Sequence, residues 1–399
     1  MQGVANIAFN ALLARSLQKS QFASVGLAFG IYFFLLGIHR AQVVLPFILD
    51  GGLPEPERSR KAEAWWWFNA LFIGVMVLLL VAVAAVLRLA MPDPAQAWVV
   101  DAVHYSALVT AALCMAEFGR RWLYQHGKPI VAACASLAYL VTGAIVAVMV
   151  LLIQGGLGMG IATWVLGTTT FMTVVIIAAP PRFVSLAEIG GVWWSHRNFA
   201  FWQTLTHLPY AIYNNSVVLL IGAFGGPVAA ATFTAARTLN SPVLSVVSAV
   251  DLLDKPRAAR ALVSDGLRGL KSSIVRTRRL LVFLNGIYLA LLLLFTGPIL
   301  KLAFGERYAG HEMEVRALAV AFFLICLNQP SETMLIVLRA SRTMFLTRLC
   351  AAVSAVVAIF TLSRAFGPLG CTGAIVLVQV INLACLSFGE RYAARKWAG

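Results

Sequence analysis

The length, composition and charge of the chain exclude an ordinary soluble domain. It has 399 residues, of which 60% are hydrophobic and only 12% are charged, whereas about 25% of the residues in a typical soluble domain are charged. The net charge of +15 would suggest nucleic-acid binding in a soluble protein. Here the basic residues lie in short segments between apolar runs, so a membrane protein is predicted and nucleic acid is not an expected partner.

Apolar runs recur along the whole chain, and each is long enough to cross about 30 Å of hydrocarbon as a helix. The runs do not alternate apolar and polar residues with period two, which argues against a membrane β-barrel. The sequence therefore predicts an all-α polytopic membrane protein with about twelve spans. The predicted spans are 1–14, 22–48, 64–88, 97–117, 129–153, 157–180, 201–222, 227–250, 280–302, 315–338, 343–363 and 369–389.

One longer connection, residues 251–279, is rich in Arg and Lys and also carries a periodic apolar pattern. Residues 261–262, Leu267, Leu270 and Ile274 recur near helical spacing. A basic amphipathic helix of this kind is typical of the membrane surface. We therefore expect this segment to lie on the cytoplasmic face of the membrane.

The loop charges predict the orientation of the chain. With both termini in the cytoplasm, 23 of the 31 Lys and Arg residues fall in inner loops or the tail and 7 fall outside. Cytoplasmic loops carry an excess of Lys and Arg in membrane proteins. The pattern thus predicts cytoplasmic termini in a bacterial inner membrane. No cleavable signal peptide is expected, because Met1 lacks a basic flank and a small-residue cleavage pattern is absent.

Twelve spans divide into two halves of six. An even number of spans in each half gives both halves the same orientation, as in transporters built from parallel repeats. We expect a first lobe at residues 1–195 and a second at 196–399, which includes the segment 251–279. The predicted fold is two six-helix lobes around a central cavity.

Arg237 is the most distinctive charged residue, because it lies near the middle of its predicted span. A charge there costs at least a few kcal/mol unless it faces a cavity or a partner. Its planar guanidinium matches the oxygens of a phosphate group. Two interpretations remain: a phosphate ligand in a cavity, or a structural pairing with a carbonyl or carboxylate.

Arg40 and Arg15 are weaker candidates for the same phosphate-binding role. Arg40 lies about two thirds of the way along the second span, near the predicted inner interface, where an arginine can also reach the headgroups. Arg15 ends the first span on the predicted outer side.

Polar side chains form a stripe along the seventh predicted span. Gln203, His207, Tyr210 and Asn214 are spaced by 4, 3 and 4 residues, which places them on one face of an α-helix. Such a stripe either lines a wet cavity and contacts sugar hydroxyls, or it joins helices by hydrogen bonds. Asn6 and Asn10 in the first span allow the same two interpretations.

Asp101 and His104 are three residues apart near the outer end of the fourth span. They are candidates for a proton-coupling pair, and an interfacial pair in contact with water is the alternative. Glu117 precedes Arg120 and Arg121, and an ion pair with one of them is expected.

Catalytic and metal sites are not predicted. The phosphate-loop pattern GxxxxGK[ST] and the hydrolase patterns HExxH and GxSxG do not occur. The six cysteines lie in apolar segments without CxxC spacing, so we expect free, buried thiols. We predict neither an enzyme activity nor a cofactor.

Four segments along the chain resemble one family of membrane transporters. They are residues 10–22, which begin Asn-Ala-Leu-Leu-Ala-Arg; 222–239, which contain Gly-Ala-Phe-Gly-Gly-Pro-Val and end Phe-Thr-Ala-Ala-Arg-Thr-Leu; 302–308, Leu-Ala-Phe-Gly-Glu-Arg-Tyr; and 367–373, Gly-Pro-Leu-Gly-Cys-Thr-Gly. In their order and spacing they resemble the polysaccharide flippases of the multidrug/oligosaccharidyl-lipid/polysaccharide exporter superfamily. Compared with that family, the first helix starts late.

The resemblance implies a flippase that moves polyprenyl-diphosphate-linked oligosaccharide from the inner to the outer leaflet for cell-surface polysaccharide synthesis. It implies membrane lipid as a partner and a polysaccharide polymerase and a chain-length regulator as candidate partners. Related lipid II flippases hold cavity arginines in the helices where Arg15, Arg40 and Arg237 fall. The alternatives are a drug/cation antiporter of the same superfamily, a polysaccharide polymerase or ligase, and a scaffold for polysaccharide assembly.

Overall fold

Every regular element in the described part of the chain is a helix, as the apolar runs predict. The structure is a computed structural model, and it describes residues 9–15, 17–51, 53–91, 93, 96–153, 156–215, 217–305, 310–338 and 340–398. Long helices are the expected form of a chain in lipid, because they satisfy their own backbone hydrogen bonds where no water can.

The helices are numbered in chain order. They are α1 (9–15), α2 (Lys19–Asp50, with a π-helical turn at Arg40–Val44), α3 (Glu57–Ala90), α4 (Ala97–Gln125), α5 (Pro129–Leu152), α6 (Leu157–Ala178), α7 (Leu186–Tyr210, followed by a π-helical turn at Ala211–Asn215), α8 (217–225), α9 (227–265), α10 (267–294), α11 (Thr296–Phe304), α12 (Glu312–Val337), α13 (341–366) and α14 (368–398). Gly226, Gly266 and Gly367 have non-helical backbone angles and separate α8 from α9, α9 from α10 and α13 from α14.

The described residues contain nine candidate membrane spans. Two of them, of 62 and 56 residues, are much too long for one crossing and contain Gly226 and Gly367, respectively, at positive φ. Division at these glycines gives eleven apolar segments in the described residues. Residues 1–8 of the first predicted span, including Asn6, lie outside the described residues. The polytopic all-α fold is confirmed, and the number of about twelve spans stays a prediction.

The helix that carries the start of the seventh predicted span begins earlier than that span, since α7 starts at Leu186 and the span is predicted from residue 201. Ser185 caps the helix: its side chain accepts a hydrogen bond from the backbone N–H of Glu188, whose carboxylate accepts one from Ser185 N at 2.9 Å. This reciprocal capping box has the pattern Ser-x-x-Glu, which is a helix-start signal in the sequence itself.

The segment 251–279 is not the single helix that the sequence predicts, and its place at the membrane surface stays a prediction. The segment is divided between the end of α9 and the start of α10, which meet at Gly266. Leu270 and Ile274 are buried in a cluster with Ala258, Met334 and Ala394, and Leu262 and Leu267 pack against it. The apolar face is present, but α12 and α14 supply its partner in place of lipid. An amphipathic pattern does not distinguish these two partners.

The chain divides into two compact units, residues 1–211 and 212–399. The predicted lobe boundary at 195/196 falls inside α7, all of which belongs to the first unit. The central cavity between two lobes stays a prediction.

Burial separates interior helices from those with an exposed apolar surface. In the most apolar window of α2, 67% of the residues are buried, against 17% in α3. Exposed apolar side chains in α3, such as Leu78 and Leu79, are stable only against lipid. The prediction that all six cysteines are buried is wrong for Cys134 and Cys350, which are exposed, and for Cys385, which is half-buried. Exposure of a thiol costs little here, since the surrounding phase is also apolar.

Candidate functional site

Three arginines converge on one buried carboxylate in the first unit. Glu117, in α4, is 6% exposed. Its two oxygens lie 3.1 Å from Arg40 Nη2 and 2.6 Å from Arg120 Nη2, and Arg121 Nη2 lies 3.5 Å away. We call these four residues the arginine cluster. The predicted pairing of Glu117 is confirmed, and the contact with Arg40 of α2 was not anticipated.

The arginine cluster carries three positive charges against one negative charge. The side chain of Arg40 is 51% exposed, whereas that of Glu117 is 8% exposed. A buried carboxylate needs such partners, because an uncompensated buried charge is costly. The excess positive charge and the open side of Arg40 can accept an anion, and a guanidinium offers phosphate two parallel hydrogen bonds.

Arg40 begins the π-helical turn of α2. Pro46, one turn further on, has no N–H to donate to the carbonyl of Gln42, and its ring would clash with that carbonyl in a regular α-helix. A wider π turn is one way in which a helix accommodates such a break, and π turns often occur at functional sites. The sequence contains this signal in Pro46.

The π turn is held against α7 by a side-chain amide. Gln42 donates from Nε2 to Thr204 Oγ1 at 3.0 Å, and its Oε1 accepts from Trp193 Nε1 at 3.0 Å. Both ends of the amide are therefore satisfied by α7. Close packing continues at Gly37, where a Cβ atom would lie 1.6 Å from His207 Nε2. Only glycine leaves room for the imidazole ring at this contact.

Most of the predicted polar stripe lies on α7, beside the helix that carries Arg40. Gln203, His207 and Tyr210 are all half-buried, and the His207 and Tyr210 rings lie 6.1 Å apart. Asn214 is also half-buried but falls in the π-helical turn of residues 211–215. The helix is therefore not a regular α-helix between Tyr210 and Asn214. The shared face of all four residues stays a prediction.

A second buried carboxylate lies at the end of α2. Asp50 is 7% exposed and accepts a hydrogen bond from Trp65 Nε1 at 2.8 Å. His196 Nε2 and Lys61 Nζ lie 3.4 and 3.7 Å from Asp50 Oδ1. The group joins α2, α3 and α7. The sequence predicts a loop at Asp50, because the second predicted span ends at residue 48. Its three partners are not near it on one helix face, so the sequence does not reveal this group.

His39 is another polar residue that sequence analysis missed. It is fully buried in α2, and its Nε2 lies 2.7 Å from Asn69 Oδ1 of α3. The sequence signal for this pair is the presence of two polar residues inside apolar spans, because each needs a hydrogen-bond partner where the surroundings are hydrocarbon.

The remaining predicted residues are dispersed. Arg237, in α9 of the second unit, is half-buried between buried neighbours such as Ala236 and Thr238. Arg15 is exposed and Asn10 is half-buried in α1. Asp101 and His104 are both exposed in α4, and no ion pair joins them among the described residues.

The second unit contains its own ion pairs between helices. Glu332 of α12 accepts from Arg348 Nη2 of α13 at 3.0 Å. Glu390 of α14 lies 3.4 Å from Arg278 Nη2 of α10. In the described ranges, no group of three or more His, Cys, Asp or Glu side chains could hold a metal ion.

Comparison with known proteins places this arrangement in a known fold. A search against protein-family models finds no match, and a search of curated proteins finds none either. Among solved structures, the chain is similar to a multidrug resistance MATE family transporter of the MOP superfamily in its inward-facing conformation. Their TM-score is 0.82 and their identity 14%, with 100% of this chain and 96% of the other covered.

Two further solved structures are also similar to this chain. One is the lipid II flippase MurJ in its inward closed conformation, with a TM-score of 0.70 and 9% identity. The match covers 98% of this chain and 85% of the MurJ chain. A MATE transporter in a bent conformation has a TM-score of 0.60 at 14% identity, with 99% and 92% covered. The chain thus has the membrane-spanning fold of these MATE and MurJ transporters.

Proposed function

We propose that the protein is a transporter that flips polyprenyl-diphosphate-linked oligosaccharide from the inner to the outer leaflet of a bacterial inner membrane. The arginine cluster is the observation that carries this proposal. Three guanidinium groups share one carboxylate, and Arg40 keeps half of its side chain open. An anionic group such as diphosphate fits this excess positive charge, whereas a cationic drug does not.

In this mechanism the diphosphate binds the open side of Arg40, and the polyprenyl tail stays in the lipid. Arg40 can exchange part of its contact with Glu117 for phosphate oxygens, since Arg120 and Arg121 continue to pair with the carboxylate. Arg237 is a second phosphate ligand in this proposal, and the polar side chains of α7 contact sugar hydroxyls. The barrier removed is the cost of taking charges and hydroxyls through hydrocarbon, which is many kcal/mol.

No covalent bond is made or broken in this step, so the proposed protein is not an enzyme and needs no cofactor. Its partners are the lipid-linked oligosaccharide and membrane lipid, with a polysaccharide polymerase and a chain-length regulator as further candidates. The fold shared with the lipid II flippase MurJ supports a lipid-linked substrate.

The test is flipping of a fluorescent polyprenyl-diphosphate oligosaccharide in proteoliposomes. Arg40→Gln and Arg237→Ala should each slow flipping about tenfold or more, since a charged hydrogen bond contributes about 1.5–3 kcal/mol. A lysine at either position keeps the positive charge but lacks the planar guanidinium that makes two parallel hydrogen bonds to phosphate. An intermediate flipping rate is therefore expected. The matched control is Arg58→Gln, which removes a half-buried arginine paired with Glu55 at the start of α3. Normal flipping by both Arg40→Gln and Arg237→Ala would refute the proposal.

A drug/cation antiporter is the second candidate, and the TM-score of 0.82 with a MATE multidrug transporter favours it. The same proteoliposomes distinguish the two functions when a lipophilic cation replaces the labelled lipid. Uptake or release of tetraphenylphosphonium driven by a proton or sodium gradient, without lipid flipping, would support the antiporter.

A further inference from the structure

A groove runs between α13 and α14 of the second unit, and none of the candidate ligands discussed above lines it. Its volume is about 1000 Å³. Its lining residues come from the end of α12 and the facing sides of α13 and α14: Leu338, Ala340, Arg342, Thr343, Leu346, Thr347, Cys350, Ala384, Cys385, Phe388, Gly389, Tyr392, Ala393, Lys396 and Trp397.

We propose that this groove binds an anionic phospholipid of the leaflet on the carboxyl-terminal side of the membrane, with the phosphate between Arg342 and Lys396 and an acyl chain along the helices. By the loop charges, that leaflet is the cytoplasmic one. The site does not depend on which substrate the protein transports.

The charges at the groove mouth favour an anion. Arg342 and Lys396 are exposed, and neither forms an ion pair with another described residue. No Asp or Glu occurs among the described residues that line the groove. Arg348, two turns along α13, differs in being paired with Glu332. Basic pockets between spanning helices on the cytoplasmic side are suited to anionic headgroups.

The part of the groove that runs along α13 and α14 from the basic residues to Cys350 and Cys385 matches an acyl chain in length and polarity. From Arg342 to Cys350 is about 12 Å along α13, and from Lys396 to Cys385 is about 16 Å along α14, at 1.5 Å per residue. Half of a hydrocarbon core is about 15 Å. Leu346 and Phe388 are 54% and 74% exposed, so they are available for contact with a chain.

Small residues and aromatic residues shape the two ends. At the floor, a Cβ atom on Gly389 would lie 2.8 Å from Thr343 Cγ2, so α13 and α14 approach closely there. At the mouth, Tyr392 and Trp397 are each about half exposed. Tyr and Trp are enriched at the level of the lipid headgroups, which agrees with a phosphate bound beside them.

The test uses phosphatidylglycerol with a photoactivatable diazirine in its acyl chain, incorporated into phosphatidylcholine vesicles that contain the full-length protein and no polyprenyl lipid. After illumination, peptide mass spectrometry locates the adducts. We expect adducts on the 342–350 and 384–397 segments, and much weaker labelling there by the matching phosphatidylcholine probe.

Removal of both charges by Arg342→Gln together with Lys396→Gln should weaken labelling of the groove by about tenfold or more at limiting probe, because each basic residue contributes about fivefold in affinity. The matched control is Arg391→Gln with Arg395→Gln. It removes the same charge from exposed positions of α14 that do not line the groove, and it should label normally.

A second measurement follows thermal unfolding in mixed micelles, since a ligand that binds the folded state raises its unfolding midpoint. Phosphatidylglycerol should raise the midpoint of the parent and the control, but not of the groove variant. Excess inorganic phosphate should not displace the lipid probe. The proposal is overturned if both probes label the groove equally, if labelling lies elsewhere, if free phosphate displaces the probe, or if the control loses labelling as the groove variant does.

Discussion

Arg40 and Arg237 show how differently one residue type can be placed in apolar helices. The sequence predicts both as phosphate ligands, from their positions along the spans, from guanidinium chemistry and from the family resemblance. In the structure, Arg40 is half exposed and paired with Glu117, whereas Arg237 is half-buried between buried neighbours in the other unit. The position along a span determines the free-energy cost of placing a charge in the membrane. Which partner offsets this cost depends on the neighbouring helices.

Glycine at position 37 can be tested directly. In Gly37→Ala the new methyl group would overlap the ring of His207, and such overpacking costs about 1–3 kcal/mol. Alanine gains up to about 1 kcal/mol in helix propensity, so we expect a net lowering of the unfolding midpoint in detergent.

The matched control is Gly74→Ala in α3, where no atom lies within 4 Å of the new Cβ and stability should be equal or higher. His207→Ala in the Gly37→Ala background should restore most of the loss. If Gly37→Ala and Gly74→Ala behave alike, the contact between α2 and α7 is not as close as described.

At the scale of elements, the sequence predicts the presence of a helix more accurately than the residues at which the helix begins and ends. Predicted starts agree well for α5 and α6, which follow connections marked by Pro129 and Gly156. Agreement fails for α7, where the capping box at Ser185 was overlooked. At residues 251–279 the structure has two helices in place of the predicted single helix, and the apolar stripe packs on protein.

Gly266 separates α9 from α10 with φ of 59°. A side chain at positive φ is strained, so Gly266→Ala should lower the unfolding free energy by about 1 kcal/mol. No atom lies within 4 Å of the new Cβ, which leaves backbone strain as the expected cause.

The control for this prediction is Gly286→Ala, inside α10, where the nearest atom to the new Cβ is 3.9 Å away. There alanine should stabilise the helix by about 0.5–1 kcal/mol. Chemical denaturation of both variants measures the two effects, and opposite signs are expected. Equal signs would contradict the assignment of a helix break at Gly266.

At the scale of the whole molecule, the excess of basic residues in alternate loops predicts the orientation. A green fluorescent protein fused after residue 399 should fluoresce, because it folds in the cytoplasm. Alkaline phosphatase fused after Asp93, in the predicted outer connection between α3 and α4, should be active. An active phosphatase at the carboxyl terminus would invert the orientation and move the groove between α13 and α14 to the outer leaflet.

The sequence by itself determined the phase in which this protein folds and its class of structure. Runs of apolar residues longer than about 20 positions leave a helix across the bilayer as the only economical conformation of the backbone. The presence of long apolar helices, the approximate bounds of several of them and the presence of isolated charges follow from the same local rule, and none of them requires knowledge of distant contacts.

Tertiary structure alone decided which polar residues meet. Arg40 and Glu117 are 77 positions apart, and Gln42 and Thr204 are 162 apart. Each of these side chains needs a hydrogen-bond or ion-pair partner inside an apolar phase, but the sequence contains many residues that could be that partner. The choice was made by helix packing, through glycine contacts and a π turn that set how closely two helices approach and in which direction their side chains point.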